Sequence, residues 1–344
     1  IALPKRGPVK GRRALYRKSL KKGAFFIGKG HSTALCHWLC ASSQERLFFK
    51  GPAPLVIALK RLTFCSGPFG PKLPFAPEDA PMSQASSSRV SRELQGHVLL
   101  LGLDRVAKRN AFDLDLLNEL SLAYGEFDRN EEARVAVVFG HGEHFTAGLD
   151  LINVAHTMAQ GWQPPLGGCD PWGVFAGPRV SKPVIVAAQG YCLTIGIELM
   201  LAADINLCAS NTRFAQMEVQ RGIFPFGGAT LRLHQIAGWG NAMRWLLTGD
   251  EFDAHEALRL GLVQEVMASE DLLPRALTLA NRIASQAPLG VQATLTSARQ
   301  ARDEGETAAA TGLPVLVEKL LNSEDAKEGV RAMLEKRPGV FKGL

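Results

Sequence analysis

GHGEHFTAGLDL (Gly140–Leu151) follows directly on the apolar run Val135–Phe139. A strand that empties into a glycine-rich turn can cradle a phosphate, ligate a metal through its two histidines, or hold a reacting carbonyl. Gly140-His141-Gly142 begins like the dinucleotide fingerprint G-x-G-x-x-G, but its sixth position is Phe145, which obstructs the close helix approach that the third glycine allows. His141 and His144 lack an evident third ligand and read as solvent-facing loop histidines, so no metal site is expected. What remains is a turn whose backbone N–H groups, around Ala147-Gly148-Leu149, can hydrogen-bond a developing oxyanion.

One donor is seldom enough, and a second candidate lies downstream. KPVIVAAQG (182–190) reads as a buried strand and leads into YCLTIGIELMLAAD (191–204), where Gly196 opens a helix. The first N–H groups of a helix are unpaired and lie at the positive end of its dipole, so Thr194-Ile195-Gly196 can supply the partner. The same helix carries Glu198 in its first turn, and FAQMEVQRGIFPFGGATLRL (214–233) places Glu218 among apolar residues. Each glutamate has a plainer reading: Glu198 as a solvated carboxylate at a helix start, and Glu218 as an exposed carboxylate at a strand end.

The chain is long enough, at 344 residues, for a large core, and its 46% hydrophobic and 21% charged content is that of an ordinary globular protein. No stretch approaches the roughly 18 uninterrupted apolar residues of a membrane helix. The net charge of +6 hides a division. Residues 1–81 hold 15 Lys/Arg against 3 Asp/Glu, whereas residues 82–344 hold 24 against 30. The larger part is mildly acidic and offers no nucleic-acid surface. Cys169, Cys192 and Cys208 fall in or near apolar segments and read as reduced, buried thiols.

Residues 1–81 mix basic clusters with Pro, Gly, Cys and Trp and keep no period. They are expected to be a non-native or disordered extension, with a transit peptide as the alternative. Their His31, Cys36, His37 and Cys40 match known zinc spacings poorly. Beyond them, Val98–Leu103, Arg134–Phe139, 182–190 and 205–210 read as strands, and 112–129, 196–203, 256–260, 271–286 and 290–304 as helices. The stretch 153–180 reads as a loop with a short helix. An α/β core over 82–275 and a helical region over 276–344 are expected.

The segments resemble the crotonase, or enoyl-CoA hydratase/isomerase, superfamily. GHGEHFTAGLDL matches its G-x-G-x-x-F-[ST]-A-G-x-D-L. KPVIVAAQGYCLTIGIELMLAAD matches its K-P-x-I-A-x-V-x-G-x-x-x-G-G-G-x-E-L-x-x-x-x-D, and RGIFPFGGATLRL (221–233) its G-[IL]-x-P-x-x-G-G-x-x-R-L. WLLTGDEFDAHEALRLGLVQEV (245–266) fits the following T-G-x-x-x-x-A-x-E-A-x-x-x-G-L-V-x-x-V element. The likeness runs from about Ser88 to Leu344. It implies an α/β spiral of ββα units with a C-terminal helical oligomerisation region.

The resemblance also implies roles. The oxyanion donors fall on the N–H groups of Leu149 and Ile195, and the catalytic carboxylates on Glu198 and Glu218. Ala147, Gly148, Asp150 and Leu151 belong to the turn that receives the CoA thioester, with Asp150 bracing it. Lys108 and Arg109 occupy the place of basic CoA contacts, as Phe341 and Lys342 do more weakly, and Trp162, Trp172 and Phe175 could line the acyl pocket or simply pack. The main departure is Thr194-Ile195-Gly196 where the family has a glycine triplet. Phe226 stands where dienoyl-CoA isomerases of the family carry an acid, against that subtype. The implied activity is hydration of a 2-enoyl-CoA. Double-bond isomerisation with Glu218 as proton shuttle, or CoA-thioester binding without turnover, are the alternatives. No resident cofactor is expected, coenzyme A entering as part of the substrate. The expected partners are the acyl-CoA and copies of the same chain, in a trimer or a dimer of trimers. The expected location is cytoplasmic, or the mitochondrial matrix should the first segment be a transit peptide.

Overall fold

The computed structural model of the chain describes residues 88–344. The expectations for residues 1–81, their zinc-like group included, fall outside that span. β1 (Val90–Gln95) and β2 (Val98–Leu103) form an antiparallel hairpin across Gly96, whose φ of 59° suits the tight turn. α1 (Leu114–Arg129) follows, its start fixed by the Asp113 carboxylate, which accepts from the Leu116 N–H. Then come β3 (Val135–Gly140), α2 (Leu151–Ala159), β4 (Val184–Ala188), β5 (Tyr191–Leu193) and α3 (Ile195–Ala202). β6 (Ile205–Ala209), β7 (Arg213–Ala215), α4 (Ala229–Ala237), α5 (Trp239–Thr248), β8 (Glu251–Asp253), α6 (Ala254–Leu260) and β9 (Glu265–Met267) continue the chain.

Six strands form one sheet in the order β1-β2-β3-β4-β6-β9, parallel from β2 onward, and β5-β7-β8 form a second, smaller sheet. The apolar runs of β2, β3 and β4 follow from burial on both faces. Leu99, Leu101, Ala136, Val138 and Val186 point to one side, where α1 and α3 pack; Val98, Leu100, Val135, Val137 and Ile185 point to the other. That second side is closed by α7 (Ser269–Ala284) through Leu272, Ala276, Ala280 and Ala284. The small alanines bring the helix close to the strands. The boundary expected at 275/276 therefore needs correction, because it would cut α7 in the middle of its contact with the sheet.

The helices beyond it are of another kind. α8 (Pro288–Glu304) buries no residue within this chain, and α9 (Glu306–Leu321) buries only Ala309, while Leu313, Val315, Val317 and Leu321 stay exposed. α10 (Glu324–Glu335) is strapped by the chain end, whose Lys342 and Gly343 N–H groups donate to the Asp325 carboxylate at 2.7 and 2.8 Å. Among the described residues no helix is long and apolar enough to cross a membrane.

The expected face of α1 (Leu116, Leu117, Leu120, Tyr124, Phe127) is the buried one. Gly125 lies on it, and a Cβ there would run into the carbonyl oxygen of Gly167. Alanine ordinarily gains about 1 kcal/mol over glycine in a helix. Here main chain meets main chain, so Gly125→Ala should destabilise by about 1–3 kcal/mol as an overpacked site. Calorimetry checks the sign; a raised Tm would mean that the 167–168 loop yields.

Candidate active site

The candidate residues come together through register. β4–β5–α3 and β6–β7 are successive strand–strand units, in which the first strand lies in the large sheet and the second in the small one. After β3 the second strand shrinks to a single parallel bridge, Thr146↔Cys192. Cys192 in turn pairs in parallel with Phe214 of β7. Thr146, Cys192 and Phe214 are thus adjacent rungs running the same way. Three residues past the first rung is Leu149; three past the second is Ile195; four past the third is Glu218. All three leave the same edge of the small sheet, and Glu198 follows Ile195 by one turn of α3.

The first turn is braced from behind by Asn110, which is fully buried at φ 53°. Its side chain donates to the carbonyls of His141 and His144 at 2.9 and 2.8 Å and accepts the Arg105 N–H, while its own carbonyl accepts the Thr146 hydroxyl. Phe112 grips the turn on both sides of Leu149: the Phe112 N–H donates to Gly148 O at 2.8 Å, and the Asp150 N–H donates to Phe112 O at 2.9 Å. Arg105 ties the Asp150 carboxylate to that of Asp113. Gly148 has a φ of 96°, and a Cβ there would strike the Thr194 hydroxyl of the second turn. Side-chain crowding from Thr194 is thus met by the absence of a side chain at 148.

In the second turn Thr194 adopts φ 49° and ψ −111°, a conformation that glycine takes freely and a β-branched residue resists. Its N–H donates to Ala215 O at 2.9 Å. The buried Gln216 amide nitrogen, in the orientation its neighbours require, donates to Thr194 O and to the Glu218 carboxylate, both at 3.1 Å. Ile195 then opens α3, and its carbonyl accepts the indole N–H of Trp172 at 3.0 Å. Neither the Leu149 N–H nor the Ile195 N–H has a protein acceptor among the described residues.

The two glutamates are 2% and 6% exposed, so the plainer readings of both as solvated carboxylates give way. Burial pushes Glu198 up to about 7, against the N–H groups of Gly227, Gly228 and Ala229 at the start of α4 and the nearby Arg232, which favour its ionised form. Gly227 is required here, because a Cβ would collide with the Glu198 carboxylate and with Cδ1 of Ile195. Glu218, at the head of the 3₁₀ turn Glu218–Arg221, is pushed further, to about 8, by burial and then by the charge of Glu198. Between those values one carboxyl is ionised and its neighbour keeps its proton.

The remaining expected residues are also placed. Lys108 and Arg109 are exposed on the loop beside the first turn, and the Arg109 carbonyl accepts the Ala147 N–H at 2.9 Å. Leu151 begins α2. Phe341 is held elsewhere: its carbonyl accepts from Arg134, at the start of β3 and so at the opposite end of that strand from the turn. His144 accepts the Tyr191 N–H and His141 pairs with Ser91, which occupies the two loop histidines structurally. An open cleft of about 740 Å³, lined by residues such as His144, Tyr191 and Arg213, contains neither glutamate. Asn110 and Gln216 carried no signal in the sequence, because a buried amide is revealed only by the backbone around it.

The pattern of the enoyl-CoA hydratase/isomerase family matches residues 93–343. A carnitinyl-CoA dehydratase of Citrobacter koseri is 37% identical over 257 residues, covering 72% of this chain and 96% of that protein. An enoyl-CoA hydratase of Mycobacterium tuberculosis is 32% identical, covering 72% of this chain and 94% of that protein. The crystal structure of a probable enoyl-CoA hydratase/isomerase from Mycobacterium abscessus superposes with a TM-score of 0.73 at 50% identity, covering 74% of this chain and 99% of that one. With its ββα spiral and these relatives, the chain belongs to the enoyl-CoA hydratase/isomerase family, the acyl-CoA-processing crotonases.

Proposed function

We propose that the protein hydrates a 2-enoyl-CoA, with Leu149 and Ile195 as oxyanion donors and Glu198 and Glu218 as the acid–base pair. One observation carries this reading: two buried carboxyls, driven apart in titration, lie beside two unengaged main-chain amides on one sheet edge. The thioester carbonyl accepts from both amides. Ionised Glu198 takes a proton from water as its oxygen bonds to the β-carbon, and the electrons of the double bond move toward the carbonyl oxygen. The amides hold the resulting enolate, each worth about 3–4 kcal/mol by analogy with other oxyanion sites. Protonated Glu218 then gives its proton to the α-carbon, leaving the 3-hydroxyacyl thioester. CoA arrives with the substrate, its phosphates within the field of exposed Lys108 and Arg109. The names of the relatives, a dehydratase and a hydratase, support the same chemistry run in either direction.

Replacing Glu218 by Gln should lower crotonyl-CoA hydration by about 10²–10⁴-fold, the usual worth of a general acid, while butyryl-CoA binding stays within about threefold. Full activity in that variant would remove Glu218 from the mechanism. Wild-type protein that binds butyryl-CoA yet neither hydrates nor isomerises any enoyl-CoA would favour a binding role instead.

The pH profile of kcat/KM should be a narrow bell. The acid limb falls below about 7, where Glu198 takes up the proton that disables it as a base, and the alkaline limb falls above about 8, where Glu218 loses the proton it must deliver. A flat profile from pH 6 to pH 9 would contradict the assignment. Self-association is supported by the apolar residues that α9 leaves uncovered within one chain. Sedimentation should give a mass of three or six chains, and a monomer would count against that assembly.

A further inference from the structure

The Trp172 indole joins the two turns of the site, although it belongs to neither. Its ring is fully buried and packs edge-on against Phe112, with centroids 5.6 Å apart and an interplanar angle of 74°. Phe112 is the residue whose N–H and C=O grip Gly148 and Asp150 on either side of Leu149. From the same ring the indole N–H reaches the Ile195 carbonyl at 3.0 Å.

The indole is itself held from its backbone. The Trp172 N–H donates to Asp170 Oδ1 at 2.9 Å, and the Phe175 N–H donates to Asp170 Oδ2 at 2.6 Å, which closes the turn from 170 to 175 around one buried carboxylate. The Trp172 carbonyl accepts from Arg232 at 2.7 Å. Trp162 and Phe175 pack edge-on against the ring from other sides, with centroids 6.0 Å away in both cases.

The second turn needs such a support. Thr194 holds a backbone conformation that costs a side-chain-bearing residue free energy, and conformations of this kind persist only where their surroundings over-determine them. The peptide that carries the Ile195 N–H joins Thr194 to Ile195. Hydrogen bonds fix the Thr194 end through Ala215 and Gln216, and Trp172 fixes the Ile195 end. Without that last contact the amide can swing, and a displacement of about 1 Å at a reacting centre can cost about 10²-fold.

We propose that Trp172 is a positioning residue that sets the spacing of the Leu149 and Ile195 amides, by its indole N–H on the Ile195 carbonyl and its ring edge on Phe112. This rests on the oxyanion role given to those amides above. Trp172 touches no reacting atom; it acts through the main chain on either side of it.

The test is Trp172→Phe, with site-specific β-(3-benzothienyl)alanine at 172 as a second variant that keeps the bicyclic shape and lacks only the N–H. Both should lower kcat for crotonyl-CoA hydration by about 10- to 100-fold with KM within about threefold, because the loss falls on the transition state. Infrared difference spectra of carbonyl-labelled butyryl-CoA, which cannot be hydrated, give a readout that general loosening would not move selectively. The bound thioester carbonyl should be shifted to lower frequency in the wild type, and by less than half as much in the variants at similar affinity. An unchanged shift and unchanged kcat in the benzothienyl variant would overturn the role of Trp172. If the wild type binds butyryl-CoA with no carbonyl shift, the oxyanion site itself is wrong, and the proposal falls with it for that separate reason.

Discussion

A single parallel bridge, Thr146↔Cys192, is the constraint on which the site depends. Two strand–strand units laid side by side in register place equivalent residues at equivalent heights, so turns that follow the rungs at the same interval must leave together. Phe214 extends the alignment by one more rung and brings Glu218 to the same edge. Slippage by one residue in this small sheet would reverse the facing of each residue past the rung. The glycine at 148 and the glycine at 227 then read as consequences: each leaves room for a group on the adjacent unit, the Thr194 hydroxyl in one case and the Glu198 carboxylate in the other.

The electrostatics follow from the same placement. Two carboxyls withdrawn from water resist ionising, and they resist it unequally because their surroundings differ. Glu198 faces the open N–H groups at the start of α4, which favour charge; Glu218 faces a single amide and the charge of Glu198 itself. One site can therefore hold a base and an acid at one pH without any cation between them.

The sequence displayed the large sheet clearly. β2, β3 and β4 are apolar on both faces, and an uninterrupted apolar run bounded by turn residues needs no partner to be recognised. β1 was missed because it is a solvent-facing edge strand, buried only at Val90 for most of its length and rich in polar side chains. β5, β7 and β8 span three residues each, too short for any period to show, yet they set the register of the site. α1 was legible from its spacing; α8 and α9 bury almost nothing within the chain, and α9 passed without notice. The glutamates could be located as residues, but their burial could not, because it is conferred by α4, by the segment near Trp172 and by the second turn together.

Donors drawn from the main chain have a further consequence for how such a protein can change. Every residue except proline presents the same N–H, so nearly any codon at 149 or 195 would preserve carbonyl activation, provided the backbone keeps its course. Ile195 illustrates this, standing where relatives of the family place glycine. Substitutions at 198, at 218 and along the pocket wall are then free to explore new outcomes from one inherited enolate, and a lineage can acquire a new reaction without having to reinvent the step that makes the substrate reactive.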